Sequence, residues 1–445
     1  MRRAIIHRYA TERLPRYTSY PTAPHFDTRV DSAVYARWLG QLDRGAPVSL
    51  YLHVPFCRTM CWYCGCHTKA TRRIDPVDAY AEGLLREIDI VASHLQDRLK
   101  VSHIHWGGGS PTYLPSDKFM ELMARIRTRF DVLDDAEIAV EVDPRLFSAD
   151  MANACTRTGV SRASLGVQTF DPVVQQAVNR IQSQELVSDS IALLKTAGVK
   201  AVNLDLIYGL PLQTEASCRE TVRRALDLAP DRLSVFGYAH VPHMRPHQRM
   251  IKEADLPDGR ERLAQSDAIA EQLIAAGYVQ IGLDHFARAD DPLAHALEKR
   301  TLRRNFQGYT TDAASAVIGL GSSAISCLPQ GYAQTTPMTN DWERRTMQGG
   351  LCVERGCALT PEDRMRREII EQLMCYLSVD LEAVFEAHGL RLDVPDLSEF
   401  EAAGVVTLGP SQIDISPDYR PLARNVAATF DVRLATSCAR HALAV

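Results

Sequence analysis

Between residues 48 and 240, short apolar runs alternate with longer amphipathic stretches. The runs are VSLYLHVPF (48–56), VSHIHWGG (101–108), AEIAVEV (136–142), RASLGVQ (162–168), AVNLDLIYG (201–209) and RLSVFGYAH (232–240). They are rich in β-branched and aromatic residues, and most end in Gly or Pro, so each predicts a strand. Stretches 78–99, 116–130, 183–197 and 215–228 carry helical periodicity. Strand–helix alternation predicts parallel βαβ units. Six in series, with near-continuous apolar strands, predict an α/β fold built on a partial, TIM-like (β/α)6 barrel.

Outside that core the pattern changes. A helix over 259–276 leads to YVQIGLDHFAR and then to the Gly/Ser-rich AVIGLGSSAIS, which predict an extension of the sheet at its edge. From about residue 360 come a helix (361–377), a hairpin in VVTLGPSQIDIS and a helix over 420–439. This is expected to be a small, mainly helical C-terminal domain of winged-helix character. The first 35 residues lack core periodicity and are expected to form an ordered arm. The predicted division is 1–35, 36–359 and 360–445.

Composition narrows the function. Fifty basic and 55 acidic side chains give a net charge of −5, so no excess of cations is available for a phosphate backbone, and nucleic acid is not an expected partner. The uncharged stretch 315–330 is too short and too rich in Gly and Ser to span a membrane. The N-terminus has no apolar signal core, so a cytoplasmic protein is expected. No heptad seam is visible, and a monomer is expected. Only seven of the cations are Lys.

Four of the eleven cysteines, Cys57, Cys61, Cys64 and Cys66, fall within ten residues. The others (Cys155, Cys218, Cys327, Cys352, Cys357, Cys375, Cys438) are scattered, as small buried hydrophobes would be. Structural zinc commonly takes two separated cysteine pairs, and the cluster has no second pair. Three thiolates on one short loop suit three irons of a [4Fe–4S] cluster and leave the fourth iron open to a small molecule. A zinc knuckle is the alternative. Asp205 lies within an apolar run, where a carboxylate is costly unless paired; it is either a ligand-binding group or half of a structural salt bridge.

The Cys-x3-Cys-x2-Cys loop resembles the signature of radical S-adenosylmethionine (radical SAM) enzymes. A closer resemblance covers about residues 15–335. RYTSYPTA, YLHVPFCRTMCWYCGC, HWGGGSPTYL, EVDPR, LGVQTFDPVVQQAVNR, NLDLIYGLP, DRLSVFGYAHVP, DHFAR and NFQGYTT together resemble the oxygen-independent coproporphyrinogen III oxidase family. The resemblance implies oxidative decarboxylation of the ring A and B propionates of coproporphyrinogen III to vinyls, giving protoporphyrinogen IX in haem biosynthesis. It implies a [4Fe–4S] cluster, two S-adenosylmethionine molecules and a 5′-deoxyadenosyl radical. A low-potential electron donor and an electron acceptor, neither identified by the chain, are also required.

By the same resemblance, Cys57, Cys61 and Cys64 are the cluster ligands. Tyr51, Gly108, Glu141 and Ile325 match contacts to the cluster-bound S-adenosylmethionine. Tyr63, Gly109, Ser110, Gln168, Arg180, Asp205 and Ala239 match contacts to the second. Most of these positions fall at predicted C-terminal strand ends, where barrels bind ligands. The plain alternatives are a tight turn for the glycines, a solvated strand end for Glu141 and a helix-surface cation for Arg180. Ser110 replaces a common Thr, Ile181 replaces a common Glu, and GYAHVPHMRPHQR departs from the family pattern in its middle. Cys66 is expected to act on substrate rather than to ligate the cluster. Arg16, Arg288, Arg303 and Arg304 are candidate partners for the substrate's carboxylates. A haem-trafficking paralogue and a radical tetrapyrrole methyltransferase are the rival functions. The RYTSYPTA arm and Cys66 weigh against the paralogue, and product mass would separate the methyltransferase.

Overall fold

The computed structural model describes residues 2–10 and 12–434. All six expected core strands form: β1 (Val48–Val54), β2 (Lys100–Gly108), β3 (Asp131–Val142), β4 (Arg162–Gln168), β5 (Ala201–Tyr208) and β6 (Arg232–Gly237). Between them run α1 (Asp75–Ser93), α2 (Ser116–Arg129), α3 (Ala149–Thr158), α4 (Gln184–Thr196) and α5 (Glu215–Leu226). Ser148, Ser183 and Thr214 cap α3, α4 and α5 by accepting backbone N–H groups at the helix starts. The six strands are parallel and lie side by side in chain order.

A helix over Gly259–Ala275 follows β6. The sheet then grows at both edges. Beyond β6 lie β7 (Tyr278–Ile281) and β8 (His285–Arg288), with β8 antiparallel to β6. Beyond β1 lie β9 (Val317–Leu320), parallel to it, and then the antiparallel β10 (Ile325–Leu328), β11 (Gly331–Thr335) and β12 (Val353–Ala358). The twelve-stranded sheet is not closed. It forms the partial (β/α)6 barrel expected from the alternation.

The strands are not uniformly apolar, and here the sequence expectation needs correction. In β4, Ala163, Leu165 and Val167 are buried while Arg162, Ser164, Gly166 and Gln168 are only partly so. The apolar set packs under the helices in one large core that includes Leu50, Leu52, Trp106, Val140, Leu204 and Leu233. The alternate set faces inward and is polar. A small internal space of ≈ 140 Å³ is walled by His105, Glu141, Ser164, Asn203, Asp205 and Ser234, among others. A barrel with a purely structural role would fill its interior with apolar side chains. This one keeps it polar, which is the condition for holding polar ligands.

The C-terminal segment carries Pro361–Tyr376, the hairpin Val406–Leu408 and Gln412–Ile415, and a third strand, Ser378–Asp380. The expected helix over 420–439 is shorter: a 3-10 turn at Pro417–Leu422 leads into Ala423–Ala428, and Pro421 removes an N–H donor at the junction. Residues 435–439 of that expectation, and Cys438, lie outside the described residues. The arm is more than an extended strap. It begins as a helix, Arg2–Ala10, and Ile6, Tyr9, Tyr17 and Tyr20 share one apolar cluster with Leu373, Leu422 and Phe430 of the C-terminal segment.

Candidate active site

Just past β1 the chain enters the cysteine loop. A two-residue parallel ladder clamps its base, pairing Phe56–Cys57 with Lys69–Ala70. The loop is tied to the segments that follow two other strands. The Trp62 amide donates to the Val178 carbonyl (2.9 Å), and Asn179 Nδ2 donates to the Met60 carbonyl (2.8 Å). Gln248, fully buried, donates through Nε2 to the carbonyls of Tyr63 (3.0 Å) and Ala239 (3.2 Å). His247 and Arg245 donate to the carbonyls of Cys64 (2.7 Å) and Gly65 (2.9 Å). Segments following β4 and β6 therefore hold the loop after β1.

Cys57, Cys61 and Cys64 are free thiols close enough to act on one another: burial first, then Cys64 and Cys61, push Cys57 up to about 12. Cations face the group. Arg180 Nη1 lies 3.4 Å and Arg145 Nη2 3.6 Å from Cys61 Sγ. Both arginines also pair with the buried Asp143, at 3.5 and 2.6 Å. Guanidinium donors so placed can hydrogen-bond a sulfur ligand. Among the described residues no three His, Cys, Asp or Glu side chains surround a point as one metal ion requires. Three thiols spread along a loop fit a multi-iron cluster, in which each iron takes one sulfur.

Cys66 stands next to this group, with its thiol hydrogen-bonded to Cys64. It is exposed on the wall of a cavity of ≈ 550 Å³, within the range of small-molecule sites. Tyr51, Gly108, Glu141 and Ile325 line the same cavity, so the four expected contacts of the first S-adenosylmethionine come together. Glu141 accepts from the Gly108 amide (3.0 Å) and lies 3.3 Å from His105 Nε2. Burial alone would raise its carboxyl, but the His105 ring and the Gly108 amide hold it below the usual carboxylate range. Tyr51 OH donates to His53 Nδ1 (3.0 Å), whose Nε2 donates to the His67 carbonyl (3.0 Å). Burial pushes His53 down to about 4, so the ring is neutral at physiological pH and can accept from Tyr51.

The other expected set sits deeper. Ser110 is buried, and its Oγ has no hydrogen-bond partner; Gln168 Oε1 and Arg180 Nε are also buried without one. Three orphaned polar atoms from one set of seven fit a polar ligand, since such atoms are costly when left empty. Arg180 is not a helix-surface cation: it follows the helix Pro172–Ala177 and is 7% exposed. Asp205 makes no ion pair among the described residues. It accepts from Ser164 Oγ (2.9 Å) and Asn203 Nδ2 (2.8 Å), and burial, with the Glu141 charge, pushes it up to about 6. Ala239 lies two residues beyond the end of β6 rather than on it, beside Tyr63 through their shared Gln248.

The glycine run is constrained by the chain itself. A Cβ on Gly109 would lie 2.7–2.9 Å from the backbone of Phe56 and Val54, and Gly108 has φ +111° with the His53 ring 2.5 Å from its would-be Cβ. Close approach of β2 to the cysteine loop is what requires glycine there.

Of the four candidate carboxylate partners, Arg303 and Arg304 line the large cavity beside arm residues 17–20. Arg16 turns aside and donates to the Gly237 carbonyl (2.8 Å). Arg288 is corrected: it lies beyond the N-terminal end of β6, opposite the cysteine loop, exposed and paired with Asp290. Arg367, missed in the sequence, lines the cavity. His53, His105, Asp143, Arg145 and Gln248 were missed as well. The inward period-2 positions would have flagged the first three, whereas nothing local marks Gln248.

Comparison with known proteins adds three findings. Residues 51–225 match the Radical SAM superfamily model. The oxygen-independent coproporphyrinogen III oxidase of Bradyrhizobium diazoefficiens is 53% identical, with 100% of both chains covered, and that of Paracoccus denitrificans is 42% identical over 94% of each. The coproporphyrinogen III oxidase HemN from Escherichia coli, described as a radical SAM enzyme, superimposes with a TM-score of 0.88 at 36% identity, covering 95% of this chain and 100% of that one.

Proposed function

The chain belongs to the oxygen-independent coproporphyrinogen III oxidases of the radical SAM superfamily, and from that premise we propose how its residues divide the work. The enzyme uses a [4Fe–4S] cluster and S-adenosylmethionine to convert coproporphyrinogen III to protoporphyrinogen IX by decarboxylating the ring A and B propionates. When bound, these cofactors supply a 5′-deoxyadenosyl radical able to take the unactivated hydrogen of a propionate, which no side-chain base can do.

Cys57, Cys61 and Cys64 would hold the cluster, with Arg180 and Arg145 offsetting thiolate charge at Cys61. Tyr51, Gly108, Glu141 and Ile325 would hold the cluster-bound S-adenosylmethionine. Tyr63, Gly109, Ser110, Gln168, Arg180, Asp205 and Ala239 would hold the second. Glu141, kept ionised, suits the ammonium or ribose of a ligand. Cys66 would stand between cluster and substrate. The observation that carries this reading is the ≈ 550 Å³ cavity, whose wall joins Cys66, Tyr51 and Glu141 to the arm and to Arg303, Arg304 and Arg367. Coproporphyrinogen has an apolar macrocycle and four carboxylates, and this wall offers both aromatic rings and cations.

The arm (1–35) and the C-terminal segment (360–445) would close the mouth of the barrel domain (36–359). No described helix is long and apolar enough to cross a membrane. The reading includes a cytoplasmic, monomeric enzyme supplied by a low-potential electron donor. The test is an anaerobic assay of reconstituted protein with coproporphyrinogen III, S-adenosylmethionine and a low-potential reductant. Protoporphyrinogen with 5′-deoxyadenosine is expected. A mass increase by methylation, or haem binding without turnover, would defeat the reading.

A further inference from the structure

A second recess opens beside the large cavity, at the ends of β5 and β6. Its volume is ≈ 140 Å³, and its walls come from Tyr208, Gly237, Tyr238, the arm, the helix Gly259–Ala275 and the C-terminal segment. Five arginines line it, Arg2, Arg16, Arg262, Arg420 and Arg424, against two carboxylates, Asp267 and Asp284. Both carboxylates are already engaged. Asp267 pairs with Arg2 (3.2 Å); Asp284 is 2.7 Å from His285 Nδ1 and 4.0 Å from Arg304.

Arg262 is the most telling of the five. It is 8% exposed, its Nε has no hydrogen-bond partner, and no carboxylate pairs with it among the described residues. Its guanidinium lies over the Tyr208 ring, 5.6 Å from the centroid. Arg16 and Arg420 spend one donor each on backbone carbonyls, of Gly237 (2.8 Å) and Gly282 (2.6 Å), and among the described residues neither makes a direct ion pair with a carboxylate. Burying the Arg262 cation without a paired anion is costly, and a carboxylate or phosphate oxygen is the group that satisfies several guanidinium donors at once. Burial, with Arg16 and Arg304 nearby, pushes Arg424 down to about 10, in keeping with crowded positive charge.

The recess is too small for a tetrapyrrole or a nucleotide but large enough for one carboxylate-bearing arm. It neighbours the substrate cavity: Arg16 lines the recess and Tyr17, the next residue, lines the cavity. Arg304, which lines that cavity, donates through Nη2 to the Arg16 carbonyl (3.3 Å), and the next arm residue, Tyr17, faces the cavity itself. We infer that this arginine recess is an anion subsite that takes one carboxylate arm of the tetrapyrrole substrate and so fixes which side of the ring faces the cysteine loop. The inference rests on the proposed substrate. Arg262 and Arg420 are its positioning residues and touch no reacting atom.

The test measures three quantities on reconstituted full-length protein carrying Arg262→Gln or Arg420→Gln, the second variant being on a different element in case the first folds poorly. They are the KM and kcat for coproporphyrinogen III, 5′-deoxyadenosine formed without substrate, and binding of inorganic phosphate by calorimetry. Loss of charge-assisted hydrogen bonds should raise KM by ~10- to 100-fold in each variant. Substrate-free 5′-deoxyadenosine formation and iron content should stay at wild-type levels. An unchanged KM in both variants overturns the subsite. So does phosphate binding that the variants abolish while KM is unmoved, since the recess would then serve a free anion. No conversion by the wild-type chain would sink the proposed substrate together with the subsite, and that signal is separate from any variant.

Discussion

At Asp205 the carboxyl is pushed from its ordinary 3.8 up to about 6 by burial, so the folded chain holds a proton there that the unfolded chain has released. Stability therefore falls as pH rises from about 4 to 6 and stays lower above that, a cost on the order of 1–3 kcal/mol. Asp205→Asn removes the cost. In thermal unfolding without cofactor, the variant should gain over wild type at pH 8 and lose the gain near pH 4. The same variant should bind S-adenosylmethionine roughly ten- to a hundredfold more weakly, with the iron content intact. A stability gap that ignores pH would mean the carboxyl is solvated. Each of Cys57→Ser, Cys61→Ser and Cys64→Ser should lose iron and brown absorbance, because a hard alkoxide replaces a soft thiolate poorly; full iron in any one removes that residue from the ligand set. Cys66→Ser should keep iron and lose most turnover, measured on the same sample. Arg288→Ala, at the far end of the barrel, should leave the substrate KM unchanged.

Among the elements, the end of β2 and the cysteine loop are in backbone contact. The Gly109 amide donates to the Val54 carbonyl and the Ser110 amide to the Phe56 carbonyl, both at 2.8 Å. A methyl at Gly109 would lie 2.7 Å from the Phe56 oxygen, so one of the two elements must move. Gly109→Ala should lower reconstituted iron and destabilise the fold by about 1–3 kcal/mol, the usual cost of overpacking. Iron titration alongside denaturant unfolding checks both, and a normal result in each would show that the loop yields freely. Gln248 makes a comparable tie from the β6 side. Its removal should weaken cofactor binding more than stability, because its partners are carbonyls of the loop and of Ala239.

Over the whole molecule, the arm and the C-terminal segment share one apolar cluster, and the arm's residues 17–20 also line the substrate cavity. Deleting residues 1–21 should thus have two effects, exposure of apolar surface on the C-terminal segment and loss of one cavity wall. Limited proteolysis should cut the C-terminal segment sooner, and turnover should fall while substrate-free 5′-deoxyadenosine formation persists. Equal protease resistance with and without the arm would show that the shared cluster contributes little.

The repeating strand–helix pattern determined the barrel, because parallel strands need crossover helices and each run carried its own apolar face. The cysteine spacing pointed to iron–sulfur chemistry, since the placing of several thiols on one short loop is set by local sequence. Strand ends such as Gln168 were legible for the same reason. Asp205 stood out because a carboxylate in an apolar run must be explained. Tertiary structure decided which strand faces look inward, that Arg180 is buried beside Cys61, and that Arg288 faces away from the site. It also gathered Arg16, Arg262 and Arg420, which are 246 and 158 residues apart in sequence, into one recess. No local pattern encodes such meetings. They arise because packing the open sheet against its helices, and docking the arm on the C-terminal segment, bring together side chains that are distant in sequence.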